Sequence, residues 1–376
     1  MHPGDVGREG SIVIVGGYGQ VGQAVARALA PAYPGRVRIV GRRESRAKAL
    51  AASLGEGAQG FAFDVDADAP EPLLADAAVV VMCVDAKDAR FAACCLRAGV
   101  DYVDVTAKQS LLDAIEGLDA LAREAGSNAV LSVGVAPGMT NLLGAWAITG
   151  MTSVTRLDLF LRMGAADSHG AAALEWTLDN LAVDFEVFRE GQRRRVRGFR
   201  ERAEVSFPGD ARARSAWRFN FPDQRTLART LSLPTVSTWL CFEPPLLTSL
   251  AALAVRWGAA RWLGIPWVRR GLMALTGGAG LGPDVCSILA RAEGTLASGE
   301  RVLREASFLG RREAVLTGEV AAEGVRRLLT GHRPGGVFHL ERFAEPEVFL
   351  RRIEARTPGS RLHGPATVVP RGDVPA

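Results

Sequence analysis

Three glycines, Gly17, Gly19 and Gly22, follow a short apolar run, Ile12 to Val15, and open an alanine-rich stretch, Gln20 to Ala30. The run reads as a strand buried on both faces. Val21, Val25, Ala28 and Leu29 recur at helical spacing until Pro31 stops the helix. Strand, G-x-G-x-x-G turn and helix in that order are the setting of a dinucleotide fingerprint. Gly17 permits the tight turn, Gly19 leaves room for a pyrophosphate, and Gly22 lets helix and strand pack closely. Tyr18, Gln20 and Val21 occupy the positions between them, and the helix N-terminus offers free N–H groups to phosphate.

The second strand, Val37 to Val40, ends in Gly41-Arg42-Arg43. An acidic residue near this position binds the ribose 2′-hydroxyl of NAD. A glycine followed by Arg42 and Arg43 instead suits a 2′-phosphate held by charge-assisted hydrogen bonds, so the expected cofactor is NADP(H). Strands at Phe61 to Val65, Ala78 to Val84, Tyr102 to Val105 and Ala129 to Val133 alternate with helices at Ser45 to Leu54, Ala86 to Ala98 and Ser110 to Ala125. Ser45 is a candidate N-cap and Gly99 a C-cap. This alternation predicts an α/β fold, a Rossmann-type doubly wound parallel sheet. Ligands bind at the carboxyl ends of such strands. That rule brings Asp64 and Val65 toward the adenine, and Cys83, Asp85, Tyr102, Asp104 and Thr106 toward the nicotinamide half.

Beyond Gly134-Val135-Ala136-Pro137-Gly138 the pattern changes. Leu157 to Arg162 alternates like a half-exposed strand. A polar loop at 164–170 leads to a helix at Ala171 to Leu181. Gly191-Gln192 marks a hairpin turn, and the segment 221–242 mixes a helix with a strand. Val285 to Gly294 and Arg301 to Phe308 read as an antiparallel pair, and Glu319 to Leu329 as a helix. The domain expectation is an NADP-binding domain at 1–134, an α+β substrate and dimerisation domain at 135–345, and a C-terminal segment at 346–376 whose end, from 357, is a mobile tail.

The composition narrows the function. The chain has 376 residues, enough for two cores, with 48% hydrophobic and 23% charged residues. A net charge of +4 and no recognition motif give no support to nucleic acid as a partner. The five cysteines, Cys83, Cys94, Cys95, Cys241 and Cys286, form no disulfide framework, and no apolar signal core opens the chain, so a reducing cytoplasm is expected. The five histidines are scattered and no metal is expected. Leu246 to Trp267, with Arg256, Arg261 and Pro266 inside it, makes a poor transmembrane span. It reads as buried or dimer-forming helices, with a helix lying on a membrane surface as the alternative.

The ordered set Gly17-x-Gly19-x-x-Gly22, Asp101-Tyr102-Val103-Asp104-Val105-Thr106, Gly134-Val135-Ala136-Pro137-Gly138, Thr317-Gly318-Glu319-Val320-Ala321-Ala322 and Pro334-Gly335-Gly336-Val337 resembles the saccharopine dehydrogenase-like (saccharopine reductase-like) NADP-dependent oxidoreductases. The resemblance implies a Rossmann domain, a second domain covering the cleft, a homodimer, and hydride transfer at the carbon of a C–N bond. Saccharopine-forming enzymes look like Gly-Leu-Asp-Pro-Gly-Ile-Asp-His at the boundary motif. Here Ala136, Thr140 and Asn141 stand in place of the two aspartates and the histidine. This departure points to a small-molecule imine or related carbonyl other than saccharopine.

Imine reduction requires an acid for the nitrogen and fixed charges to align the substrate. His169 is the first candidate acid, with Asp167 beside it and Trp176, Asp179 and Asn180 in the next helix. Tyr102 and Asp104 are the other catalytic candidates, and strand-end packing is their alternative role. Asn141, Trp176 and Arg225 are expected to contact the substrate. Lys108 is a candidate for a ribose hydroxyl or a substrate carboxylate, or a surface lysine. Two further readings are reduction of a C=C or carbonyl in a lipid or secondary metabolite, and a non-catalytic NADPH-binding sensor.

Overall fold

The computed structural model describes residues 9–164, 171–265, 268, 283–331 and 334–368. The chain divides into two compact units, 1–138 with 314–344, and 139–313 with 345–376.

The first unit contains β1 (Ser11–Val15), α1 (Gln20–Leu29), β2 (Val37–Gly41), α2 (Glu44–Leu54), β3 (Gln59–Ala62), α3 (Glu71–Leu74), β4 (Ala77–Met82), α4 (Arg90–Arg97), β5 (Asp101–Asp104), α5 (Gln109–Glu116), α6 (Asp119–Ala125) and β6 (Asn128–Leu131). The second holds α7 (Thr140–Ala147), β7 (Met151–Gly164), α8 (Ala171–Asn180), β8 (Asp184–Arg189), β9 (Gln192–Arg197), β10 (Arg202–Val205), β11 (Arg214–Arg218), α9 (Asp223–Thr230), β12 (Val236–Glu243), α10 (Pro245–Arg256), β13 (Cys286–Leu296) and β14 (Arg301–Gly310). The chain then supplies α11 (Glu313–Thr330), β15 (Gly336–His339) and α12 (Leu340–Phe343) to the first unit. It ends with α13 (Pro346–Arg356) and β16 (Arg361–Val368) in the second.

The first sheet is parallel throughout, in the order β15-β6-β5-β4-β1-β2-β3. Its β-branched central strands are closed to solvent, as the apolar runs require: Ile12, Val13, Ile14, Val79, Val80 and Val81 are all 0% exposed. The six strands read from the sequence are present, and β15 adds a seventh. Its four residues are too few to show a period. The helix expected at 110–125 is two helices, α5 and α6, broken at Gly117-Leu118. α2 begins at Glu44, so Ser45 is not its cap. α4 begins at Arg90 instead of Ala86, because Asp88 Oδ1 accepts the Arg90 N–H. β3 ends at Ala62, which leaves Asp64 and Val65 in a loop. Asp64 accepts the Asp66 N–H there, and its own N–H is donated to Asp68.

The second unit is built on a mixed sheet, β10-β11-β12-β7-β13-β14-β16, in which only β12 and β7 run parallel. β7 is buried on both faces instead of one. Leu157, Leu159 and Leu161 form the apolar side, against which α7 packs closely at Gly144. Asp158, Phe160 and Arg162 alternate with them, and register puts Ser237, Trp239 and Cys241 of β12 beside these three. The hairpin at Gly191-Gln192 is present as β8–β9, with Glu190 and Gly191 both at positive φ, the geometry of a tight hairpin turn. The expected mobile tail is a strand over 361–368, where β16 pairs with β14; residues 369–376 lie outside the described residues. The segment from Leu246 does not form buried helices: α10 carries a solvent-facing apolar stripe, with Leu246 65% and Trp257 79% exposed. Among the described residues no helix is long and apolar enough to cross a membrane.

Candidate functional site

The glycine turn leaves β1 at Gly16, whose N–H and that of Gly17 both bond to the Val40 carbonyl. A Cβ on Gly17 would stand 2.9 Å from the Ile14 carbonyl oxygen and from Ile39 Cγ2. A Cβ on Gly22 would come within 2.4 Å of the Gly16 oxygen and 2.6 Å of Gly17 Cα. These two glycines are therefore required by the protein's own backbone. Gly19 is different: its Cβ would meet only the Gly16 oxygen, at 3.1 Å, and the residue is exposed. The space it leaves open faces outward, where a pyrophosphate would approach. Gly19 is also the N-cap of α1 and supplies no capping side chain, so the first N–H groups of the helix are left for an anion. Gln23 Nε2 donates to the Tyr18 carbonyl at 2.9 Å and holds the turn in shape.

Gly41 ends β2, and a Cβ there would lie 2.6 Å from the Tyr18 ring. Tyr18 therefore fills the volume where an NAD-type acidic side chain would begin. Its hydroxyl accepts the Arg43 N–H at 3.1 Å and fixes the path of Gly41-Arg42-Arg43. Arg42 and Arg43 are exposed, and neither guanidinium has a partner among the described residues. Two unneutralised guanidinium groups beside a space too small for a carboxylate fit a 2′-phosphate. Gly17, Gly19 and Gly22 would cradle the pyrophosphate and Arg42 and Arg43 would hold the ribose phosphate.

At the carboxyl ends of β4 and β5 the sequence candidates converge. Thr106 Oγ1 donates to Asp85 Oδ1 at 2.8 Å and accepts the Lys108 N–H at 3.1 Å. Lys108 Nζ lies 3.1 Å from Asp85 Oδ2, and both side chains are partly exposed. Behind this clasp the Tyr102 hydroxyl donates to Asp104 Oδ2 at 2.7 Å, and Asp104 Oδ1 accepts the Thr106 N–H at 2.7 Å. Tyr102 and Asp104 are 1% and 0% exposed. Burial pushes the Asp104 carboxyl up to about 7 and the Tyr102 phenol well above its ordinary value. Enclosed as they are, these two side chains connect to the exposed clasp through Thr106. Cys83 follows β4, and desolvation pushes its thiol far up, which keeps it uncharged.

A third group was not singled out by sequence. Ser132, just past β6, takes φ +55° and sets its Oγ 2.7 Å from His339 Nδ1 at the end of β15. His339 Nε2 in turn meets Glu116 Oε1 of α5. Nothing in the local sequence pairs positions this far apart; they meet because β15 lies beside β6.

In the second unit Trp176 of α8 lies 5.7 Å from the Phe219 ring and 5.3 Å from the Phe221 ring, between centroids. Asn141 is fully enclosed at the start of α7, and Arg225 is exposed on α9. These three expected substrate residues stand on three separate elements, α7, α8 and α9. His169, the expected proton donor, and Asp167 lie outside the described residues. Sequence reading also passed over Arg218 of β11. It is 2% exposed, stacks 4.5 Å over the Trp239 ring and donates through Nε to Glu201 at 3.0 Å. Among the described residues no cluster of His, Cys, Asp and Glu is arranged to hold a metal ion.

Residues 12–131 match the family described as Saccharopine dehydrogenase NADP binding domain. No curated protein matches the chain. Apo saccharopine dehydrogenase (L-Glu forming) from Saccharomyces cerevisiae superposes with a TM-score of 0.69 at 16% identity, over 96% of this chain and 100% of that one. A meso-dapdh mutant with DAP from Clostridium tetani E88 gives 0.43 at 12% identity over 88% and 93% of the two chains. A probable dehydrogenase from Thermotoga maritima gives 0.43 at 10% identity over 94% and 98%. The matched domain, the glycine cradle and the free arginine pair together mark residues 12–131 as a saccharopine dehydrogenase-type NADP-binding domain, and the chain that carries it as an NADP-dependent oxidoreductase.

Proposed function

We propose that the protein reduces the C=N bond of an imine, or a closely related carbonyl, in a small metabolite other than saccharopine. The cofactor, when bound, supplies the hydride. The observation that carries the reading is the Asp85–Thr106–Lys108 clasp at the carboxyl edge of the parallel sheet. Imine reduction passes through a cationic nitrogen and ends in an amine. A partly exposed carboxylate can hold that nitrogen, and the neighbouring ammonium can keep the proton it needs within reach. Thr106 fixes both groups, and the buried Tyr102–Asp104 pair fixes Thr106. His169 is a second candidate for the acid, and Asn141, Trp176 and Arg225 are proposed to line the substrate side. Ala136, Thr140 and Asn141 at the boundary motif support a substrate lacking saccharopine's particular charges.

The test is NADPH consumption with panels of oxo-acids, each with and without an amine. The reading expects turnover that depends on both components. Equal turnover with the carbonyl alone makes the enzyme a carbonyl reductase instead. Lys108→Met and His169→Ala, compared at saturating NADPH, decide which group is the acid: the true donor loses kcat while NADPH affinity stays. A second reading, reduction of a C=C or carbonyl in a lipid, is favoured by the apolar stripe on α10. Consumption of NADPH with long-chain enones and not with amines would select it.

A further inference from the structure

The described residues with large exposed hydrophobic side chains are concentrated in one place. Leu246, Leu250, Leu253, Trp257, Trp262 and Ile265 are 65%, 51%, 52%, 79%, 54% and 36% exposed; elsewhere only Phe61, Val84 and Val348 share this property. Scattered apolar side chains on a surface need no explanation, but a cluster does. The spacing explains the cluster. At the helical turn of about 100° per residue, positions 246, 250, 253 and 257 fall in an arc roughly 60° wide. The residues that α10 buries, Thr248, Ala252 and Val255, lie on the opposite side. One face of the helix rests on its own unit through β12 and β11. The other, just as greasy, faces outward. A helix apolar on both faces is one that is covered on both faces.

The charge indicates what covers it. Arg256 is exposed at the end of α10, and Arg261 follows in the next turn. The sequence has no acidic residue between Glu243 and Asp284, and it has four arginines there. The net charge of the whole chain is also +4, so this stretch accounts for all of the excess positive charge. Exposed leucines and a tryptophan on one helix face, flanked by arginine and without acid, are the composition of an interfacial helix. The rings sit at headgroup level, the leucines enter the acyl boundary, and the guanidinium groups meet lipid phosphate. A self-associating surface gains nothing from uncompensated like charge, because each copy would bring the same arginines to the interface.

We propose that α10 and the turn after it dock the protein on an anionic lipid surface, with Leu246, Leu250 and Leu253 inserted and Trp257 and Arg256 at the headgroups. This does not depend on which bond the enzyme reduces.

The test is cosedimentation of the full chain with large vesicles of phosphatidylcholine alone, and of phosphatidylcholine with phosphatidylglycerol, at low and physiological salt. Binding is expected to rise roughly fivefold or more with the anionic lipid and to fall with salt, as an exposed arginine near a charged surface requires. Leu253→Ser with Trp257→Ser is expected to cut it at least about tenfold, because the apolar area sets the binding strength. Both side chains are exposed, so the thermal midpoint should hold and exclude misfolding as the cause. Failure to cosediment with anionic vesicles at low salt overturns the proposal. So does vesicle binding that the double variant leaves intact. If sedimentation velocity shows a dimer that the double variant converts to monomer, while vesicles bind neither, the stripe belongs to a second copy of the chain.

Discussion

Tyr18 Oη accepts the backbone N–H of Arg43 across 3.1 Å, and the same ring stands where a Cβ on residue 41 would go. One side chain from the glycine turn thus shapes the end of the neighbouring strand. It excludes an acid at 41 and positions the arginines that follow. Arg42→Ala should weaken NADPH binding by roughly 10- to 100-fold, the value of a charge-assisted contact of about 1.5–3 kcal/mol, and leave NADH binding unchanged. Fluorescence titration with both cofactors checks this. A parallel loss for NADH would remove Arg42 from the phosphate site.

The three glycines of the turn should respond differently to alanine. Gly22→Ala drives a Cβ into backbone atoms at 2.4 and 2.6 Å, which cannot move without the strand and helix moving too. A loss of about 1–3 kcal/mol of stability is expected, together with cofactor binding. Gly19→Ala meets one atom at 3.1 Å. Its thermal midpoint should stay near wild type while NADPH affinity falls, because the methyl group occupies the space meant for the pyrophosphate. Equal melting shifts for the two variants would contradict the assignment.

Asp104 makes stability depend on pH with a definite sign. Burial pushes its carboxyl up to about 7 in the folded protein, from an ordinary value near 4. The folded state therefore binds the proton more tightly, and the stabilisation is complete below about pH 4 and is lost as pH rises toward 7. Asp104→Asn keeps an acceptor for the Thr106 N–H and removes the charge. Urea unfolding should find the variant gaining on wild type by a few kcal/mol between pH 5 and 8, roughly the linkage expected for such a shift. A constant difference across that range would mean the carboxyl is not held as described.

Ser132 separates strain from hydrogen bonding. At φ +55° a non-glycine residue costs about 1 kcal/mol, and its bond to His339 returns about as much. Ser132→Gly should be nearly neutral, since it relieves the strain and loses the bond together. Ser132→Ala keeps the strain and loses the bond, and should cost about 1–2 kcal/mol in chemical denaturation. If glycine is the worse of the two, the serine backbone is not strained.

Much of the first unit was legible in the chain itself. β1, the glycine turn and α1 depend on residues adjacent in sequence: an apolar β-branched run, steric demands met only by glycine, and a 3.6-residue period. Gly41-Arg42-Arg43 is equally local, and so the cofactor could be read before any fold was known. The strand-end rule brought Asp85, Tyr102, Asp104 and Thr106 to one edge, because a parallel sheet aligns all of its carboxyl ends. It could not say which of them would be enclosed. Tyr102 and Asp104 alternate with Val103 along a central strand, and only the helices packed on that face decide that their side chains meet each other instead of a ligand. The Ser132–His339–Glu116 contact was beyond local reading for a different reason. His339 lies more than two hundred residues from each partner, and a four-residue strand has too little pattern to declare itself. The exposure of α10 was hidden by its composition, since periodicity reports a greasy face without reporting whether anything covers it. What the sequence determined were features set by neighbours along the chain; what the tertiary structure decided were burial and the meeting of distant side chains, because those depend on which surfaces the fold brings together.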